Sequence, residues 1–253
     1  MAKIPYEVKG GSGSDRAIIF IHGFLDEGKV WDRVIDRLTV PEYCTVTLDL
    51  PGMGGANDWN GAFDLRTLTD AVISVMDEVG KPAILVGHSM GCQIAELVAV
   101  GRPGRILGMA LVAPIPLKGL PVDEQTTAAM HSVGGNEEIN RVLRKQFSPE
   151  LSDERIEELV LIGMKVKPPV AGTLFDVWSS GDPAGNEPCP VDVPVAIFGG
   201  DLDPFTPPDV IQSTLVPRFT QCKVETLKDS SHWAHVSDPA FIAASLNPFI
   251  NQL

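Results

Sequence analysis

Ala83-Ile84-Leu85-Val86-Gly87-His88-Ser89-Met90-Gly91-Cys92 is the stretch on which the reading of this chain turns. Its first four residues form a short apolar run that predicts a buried strand, and from Cys92 to Val100 the apolar spacing becomes helical. Between them stands a serine flanked by glycines, at the sharp bend from strand to helix. Such a bend exposes a hydroxyl for attack on a carbonyl, and side chains in place of Gly87 or Gly91 would clash as it closes. In a chain with 24 glycines, chance alone can supply a bare G-x-S-x-G. Its meaning rests on whether a base, an acid and oxyanion donors follow in the right order.

The elements around the bend alternate. Ala17–Ile21, Cys44–Leu48, Ala83–Val86 and Ile106–Val112 predict strands, with helices over Val30–Leu38, Leu65–Val79 and Cys92–Val100. Asp64 is a candidate N-cap for the Leu65 helix and Gly80 its stop. Alternation of this kind predicts an α/β fold, a doubly wound and mostly parallel sheet covered on both faces. From about Ile115 to Pro190 it stops. Four helical segments follow instead, near Val122–His131, Glu137–Phe147, Asp153–Val166 and Pro169–Ser179, with Asn136 and Ser152 as caps and Pro168-Pro169 opening the last. A strand (Val193–Phe198), a helix (Pro208–Leu215), a strand (Cys222–Leu227) and a final helix (Pro239–Asn251) then resume the pattern. The expected organisation is a core over residues 1–114 and 191–253, with residues 115–190 as a helical lid inserted between strands over the sheet's carboxyl edge. Gly10–Ser14 is expected to be a hairpin loop or an ordered bend.

Composition narrows the function classes. At 253 residues and 44% hydrophobic, the chain can bury one large core. No apolar run approaches the ~18 residues of a membrane span, and Met1–Tyr6 has no apolar signal-peptide segment, so a cytoplasmic location and no membrane partner are expected. Cys44, Cys92, Cys189 and Cys222 show neither a C-x-x-C pair nor a metal-like spacing. Net charge is −13. Its densest basic stretch, Arg141-Val142-Leu143-Arg144-Lys145, is one face of a helix in an acidic protein, so no nucleic-acid partner is expected.

A serine hydroxyl needs a histidine to take its proton and a carboxylate to orient that histidine. Of five histidines, His22 and His88 border the bend-side loops and His131 lies in the helical insertion. His232 and His235 follow the last strand, where an open parallel sheet gathers its active groups. His232, in the middle of Asp229-Ser230-Ser231-His232-Trp233, is preferred to His235, which stands just before the final helix. After the Val193 strand, Gly199-Gly200-Asp201-Leu202-Asp203-Pro204 offers two carboxylates, of which spacing prefers Asp203 to Asp201. Each could also be a plain turn-forming Asp. Met90, first in its helix, presents a free N–H at the positive dipole end. A second donor is expected in His22-Gly23-Phe24-Leu25, from the Phe24 N–H.

Taken in order, Ile21-His22-Gly23-Phe24, Asp49-Leu50-Pro51-Gly52-Met53-Gly54, Gly87-His88-Ser89-Met90-Gly91, Gly200-Asp201-Leu202-Asp203 and Ser231-His232 resemble the α/β-hydrolase family with a lid domain. The resemblance covers nearly the whole chain. It implies an α/β-hydrolase fold with Ser89 as nucleophile, Asp203 as acid, His232 as base, and the Phe24 and Met90 N–H groups as oxyanion hole. Three departures stand out. Ser231 precedes the base where the family usually has glycine, Gly55-Ala56 replaces the serine that commonly ends the second motif, and the N-terminal hairpin is trimmed to room for one strand, Ile4–Val8.

The expected activity is hydrolysis of a carboxylic ester or lactone of a small, largely apolar or aromatic substrate, without cofactor or metal. Met130, Phe147, Leu161, Met164, Leu174, Phe175 and Trp178 are candidates to line a pocket under the lid, or else to pack the lid helices together. Two alternatives stand beside this. Lidded members of the family also cleave carbon–carbon bonds of dienoic diketone acids, whose carboxylate would call for an Arg or Lys that no motif supplies. Others act as ligand receptors with vestigial hydrolysis. Substrate identity and oligomeric state are not written in the sequence.

Overall fold

A computed structural model describes residues 3–10 and 13–253. Among them, seven strands form one sheet: β1 (Tyr6–Lys9), β2 (Arg16–Ile21), β3 (Tyr43–Leu48), β4 (Ala83–His88), β5 (Ile106–Val112), β6 (Val195–Gly200) and β7 (Cys222–Leu227). Their order is β1-β3-β2-β4-β5-β6-β7. Only β1 runs antiparallel, against β3; every other neighbouring pair is parallel. All residues of β3, β4 and β6 are buried, as strands covered on both faces must be; the apolar runs of β4 and β6 follow from that, while β3 also buries Thr45 and Thr47.

The chain moves outward from β2 to β3 and then crosses back to β4 on the other side of β2. The carboxyl ends of β2 and β4 therefore flank a switch point, where an open α/β sheet leaves a crevice for ligands. The loop after β2 and the bend after β4 both open there.

Among the described residues ten helices pack around the sheet: α1 (Asp32–Ile35), α2 (Leu65–Val79), α3 (Met90–Gly101), α4 (Glu124–Ser132), α5 (Glu137–Phe147), α6 (Asp153–Gly163), α7 (Pro168–Ser180), α8 (Pro208–Val210), α9 (Ala234–Ser237) and α10 (Pro239–Ile250). The sequence-predicted caps close α2, α5 and α6. Asp64 accepts from the Thr67 N–H at 2.6 Å, Asn136 from Ile139 at 3.1 Å and Ser152 from Arg155 at 3.3 Å, each filling an orphan donor of the first turn. Gly80 ends α2 at φ +72°, a left-handed stop that glycine adopts without strain.

Three expectations need correction and a fourth a refinement. The Val30–Leu38 segment is a 3-10 turn (Gly28–Trp31) leading into the four-residue α1. Beyond it, Arg37 and Leu38 bond back only three residues, which tightens the chain out of the helix. The Pro208–Leu215 helix spans the expected residues but is regular only to Val210, widening into a π-helix over Ile211–Leu215 ahead of Pro217, which has no N–H to continue it. The Val122 helix begins at Glu124, because Asp123 caps it by accepting from Thr126 at 2.9 Å. Finally, β1 lies beside β3 and not β2, so Gly10–Ser14 cannot close a hairpin between sheet neighbours; residues 11 and 12 lie outside the described residues.

Helices α4 to α7 stand between β5 and β6. They pair as α4 with α7 and α5 with α6, so the insertion consists of two helix pairs. No described helix is long and apolar enough to cross a membrane.

Candidate active site

Ser89 sits between β4 and α3 with φ +53° and ψ −120°, a backbone state that costs a residue with a side chain roughly 1–3 kcal/mol and persists only where its surroundings impose it. The two glycines make that possible. A Cβ on Gly87 would lie 2.6 Å from the Gly91 carbonyl oxygen, and one on Gly91 would press into the Ile21 carbonyl of β2.

The three side chains singled out for chemistry meet here. The Ser89 hydroxyl donates to His232 Nε2 at 2.9 Å, and His232 Nδ1–H donates to Asp203 Oδ2 at 3.0 Å. All three are buried. Burial pushes the Asp203 carboxyl up, but the charge and hydrogen bond of His232 outweigh it, and the group is held below its ordinary value. Phe205 N–H also donates to Asp203 Oδ1 at 2.9 Å.

The rival residues are elsewhere. Asp201 accepts from the Ser230 N–H at 3.3 Å, which ties the loop after β6 to the loop carrying His232. His235 is fully buried, its ring 4.5 Å from Trp31 and 4.2 Å from His88. Met90 is the first residue of α3, so its N–H has no acceptor within the helix. Phe24 lies in the loop after β2, and among the described residues its N–H meets no acceptor.

Ser89 and His232 open into a small cavity of about 20 Å³, walled by Phe24, Ile115, Met130, Trp178, Phe205 and Trp233. Of the apolar insertion residues, Ile115, Met130 and Trp178 reach this wall. Phe147 packs on Phe205, ring centres 4.5 Å apart, while Leu174 and Phe175 are buried among the helices and Leu161 is 69% exposed.

Sequence reasoning missed a second buried cluster directly behind the base. Asp26 accepts from Arg144 Nη1 at 2.9 Å and from Trp233 Nε1 at 3.0 Å. His88 Nε2–H donates to the His232 carbonyl at 2.9 Å. That leaves Nδ1 of a neutral ring facing Asp26 Oδ2 at 3.6 Å, too far for a hydrogen bond. Arg144 has a signal in the sequence. Asn140, Leu143, Arg144 and Phe147 form the buried stripe of α5, and a charge at a stripe position calls for a buried partner. Asp26 has none, being one acid in an irregular loop.

Asp26, His88 and His235 bring one ligand atom each within 4.8 Å of one another. Both Asp26 oxygens are already taken, and the adjacent guanidinium opposes a cation, so the donor set does not fit a metal.

Residues 18–245 match the model of the alpha/beta hydrolase family. The chain is 34% identical over 147 residues to the dihydrolipoyllysine-residue acetyltransferase component of the acetoin cleaving system of Cupriavidus necator, a match over 58% of this chain and 38% of that protein. It is 31% identical over 125 residues to a lipase of Mycobacterium tuberculosis, over 49% of this chain and 46% of that one. The chain thus spans less than half the length of these curated relatives. Its fold superposes on an esterase from Exiguobacterium antarcticum with a TM-score of 0.87 at 15% identity, covering 98% of this chain and 95% of that one. Matched along nearly its whole length, the chain belongs to the alpha/beta hydrolase family.

Proposed function

We propose that the protein is a serine hydrolase cleaving a carboxylic ester of a small, largely apolar or aromatic substrate. The observation that carries this is the continuous hydrogen-bonded line from Ser89 Oγ through His232 to Asp203, at 2.9 and 3.0 Å. His232 Nε2 takes the hydroxyl proton as Ser89 Oγ attacks the carbonyl carbon, and Asp203 holds the ring and stabilises the imidazolium that forms. The Phe24 and Met90 N–H groups hold the developing oxyanion. His232 then protonates the leaving alcohol, and water repeats the sequence to release the acid.

The cavity supports the choice of substrate. Its wall is apolar and largely aromatic, which suits an apolar substrate, and its volume of about 20 Å³, little above the ~10–15 Å³ that one water needs, favours the shortest acyl groups until the wall moves. Residues 115–190 act as its lid, contributing Ile115, Met130 and Trp178 to the wall. No residue of that wall is Arg or Lys, so a substrate carboxylate would lack a counter-ion, and the carbon–carbon hydrolase reading gains nothing.

The test is turnover of p-nitrophenyl esters from acetate to octanoate by wild type and Ser89→Ala. Rapid multiple turnover of acetate, falling with chain length and abolished in Ser89→Ala, is expected. Unchanged turnover in Ser89→Ala overturns the mechanism; a single slow turnover with product retained points instead to a ligand receptor.

A further inference from the structure

Three consecutive backbone N–H groups of the loop carrying His232 are held by one segment of the insertion. Ser231 N–H donates to Glu150 Oε1 at 3.0 Å, His232 N–H to the Phe147 carbonyl at 3.2 Å and Trp233 N–H to Ser148 Oγ at 2.9 Å. One turn earlier on α5, Arg144 reaches the other side of the site. Its Nη2 donates to the Leu25 carbonyl at 2.8 Å and its Nη1 to Asp26 at 2.9 Å, while its guanidinium lies over the Trp233 ring at 4.4 Å. Leu25 has φ +61°, a left-handed state unusual for leucine that needs outside support. It follows Phe24 directly.

We propose that Arg144 and Ser148 are positioning residues: the end of α5 fixes both the His232 loop and the Phe24 loop, so the α5–α6 half of the insertion assembles the site. This rests on the serine-hydrolase reading above. The α5–α6 pair is also tied to the core by Arg33, which donates to both Glu158 oxygens at 2.9 and 3.0 Å. Within the other half, α7 is held to the core by Gln93 Nε2 of α3, which donates to the Trp178 carbonyl at 2.9 Å, so the difference lies with α4. Among the described residues, the only hydrogen-bonded link of the α4 side chains to another element is His131 to Asp176 of α7, at 2.8 Å. Movement that admits substrate therefore belongs to α4 and its Met130, and the braced half stays in place.

A base and an oxyanion loop act only when held to within about 0.5 Å, and a misplacement near 1 Å can cost about a hundredfold in rate. In Ser148→Ala the Trp233 N–H loses its acceptor while every group touching substrate is kept. With p-nitrophenyl acetate, kcat is expected to fall about tenfold or more with KM within about twofold, and the Trp233 amide to exchange with solvent faster. Arg144→Lys keeps a charge for Asp26 but not the fork that also spans to Leu25, and the same split is expected. Lys145→Ala, on the exposed side of α5, serves as the control at wild-type rate. Wild-type kcat in both Ser148→Ala and Arg144→Lys, with Ser89→Ala inactive, overturns this proposal alone. Full turnover in Ser89→Ala overturns the hydrolase reading and this proposal with it. Equal losses in kcat and thermal midpoint across all three α5 variants would show a merely structural helix.

Discussion

Arg144 Nη1 lies 2.9 Å from Asp26 Oδ1, and both side chains are wholly shielded from solvent. Burial pushes Asp26 up, but the Arg144 guanidinium beside it holds the carboxyl far below the usual carboxylate range. Burial also lowers Arg144, yet an arginine stays protonated in a protein, so the pair remains charged. Removing one partner strands the other. Arg144→Met is expected to lower unfolding stability by about 3–5 kcal/mol, and pairing it with Asp26→Leu to recover much of that. Urea unfolding checks it; a loss under about 1 kcal/mol for Arg144→Met would contradict it.

Acid should destabilise the fold above the range in which Asp26 and Asp203 titrate. Burial, then the nearby histidines, keep His88 and His235 below their ordinary value of 6.5 despite Asp26. As pH falls through about 6.5, the unfolded chain binds protons that the folded one refuses, and stability drops by up to ~1.4 kcal/mol per pH unit for each histidine. Asp26 and Asp203, both depressed when folded, add to the loss once pH nears 3.8 and below. Unfolding free energies at pH 7.5, 6 and 5 should decline in that order; a flat profile would contradict the assignment.

Asp203→Asn preserves shape but removes the charge that orients His232 and stabilises its protonated form. A fall in kcat on the order of 10⁴-fold is expected, as in the Ser-His-Asp template, with the thermal midpoint little changed. Asp201→Asn should retain most activity, since that side chain reaches only the Ser230 N–H. Comparable losses in both would undo the assignment.

Trp178 lines the cavity beside Ser89 and is expected to limit the acyl chain. Replacing it with alanine opens the 20 Å³ cavity, and two further buried methylenes contribute about 1.6 kcal/mol. The kcat/KM of p-nitrophenyl butyrate relative to acetate should rise about tenfold in Trp178→Ala. An unchanged ratio would mean the chain lies elsewhere.

Gly91→Ala should be far more damaging than its single methyl suggests, because the Cβ meets the backbone of β2 rather than a movable side chain. A loss of about 1–3 kcal/mol is expected, along with loss of Ser89 labelling by a phosphonate, measured by mass spectrometry.

Much of this protein is local, and local features are legible in a sequence. The strand runs of β2, β4 and β5, the caps Asp64, Asn136 and Ser152, and the serine between Gly87 and Gly91 are each set by residues within a few positions. Ordering Asp203 and His232 after Ser89 needed only the rule that parallel strands deliver their loops to one edge. Where residues compete over long separations, the sequence offers only preferences. Position and resemblance favour Asp203 over Asp201 and His232 over His235, but the hydrogen bonds at 2.9 and 3.0 Å depend on three loops arriving together. Asp26 and Arg144, 118 positions apart, become partners only when α5 folds down over the loop after β2. The sequence by itself determined the sheet, the bend and the order of the reactive groups, since these follow from periodicity and short-range sterics. The size of the cavity and the bracing of the base were decided by tertiary structure alone, because both depend on how the inserted helices settle onto the sheet's carboxyl edge.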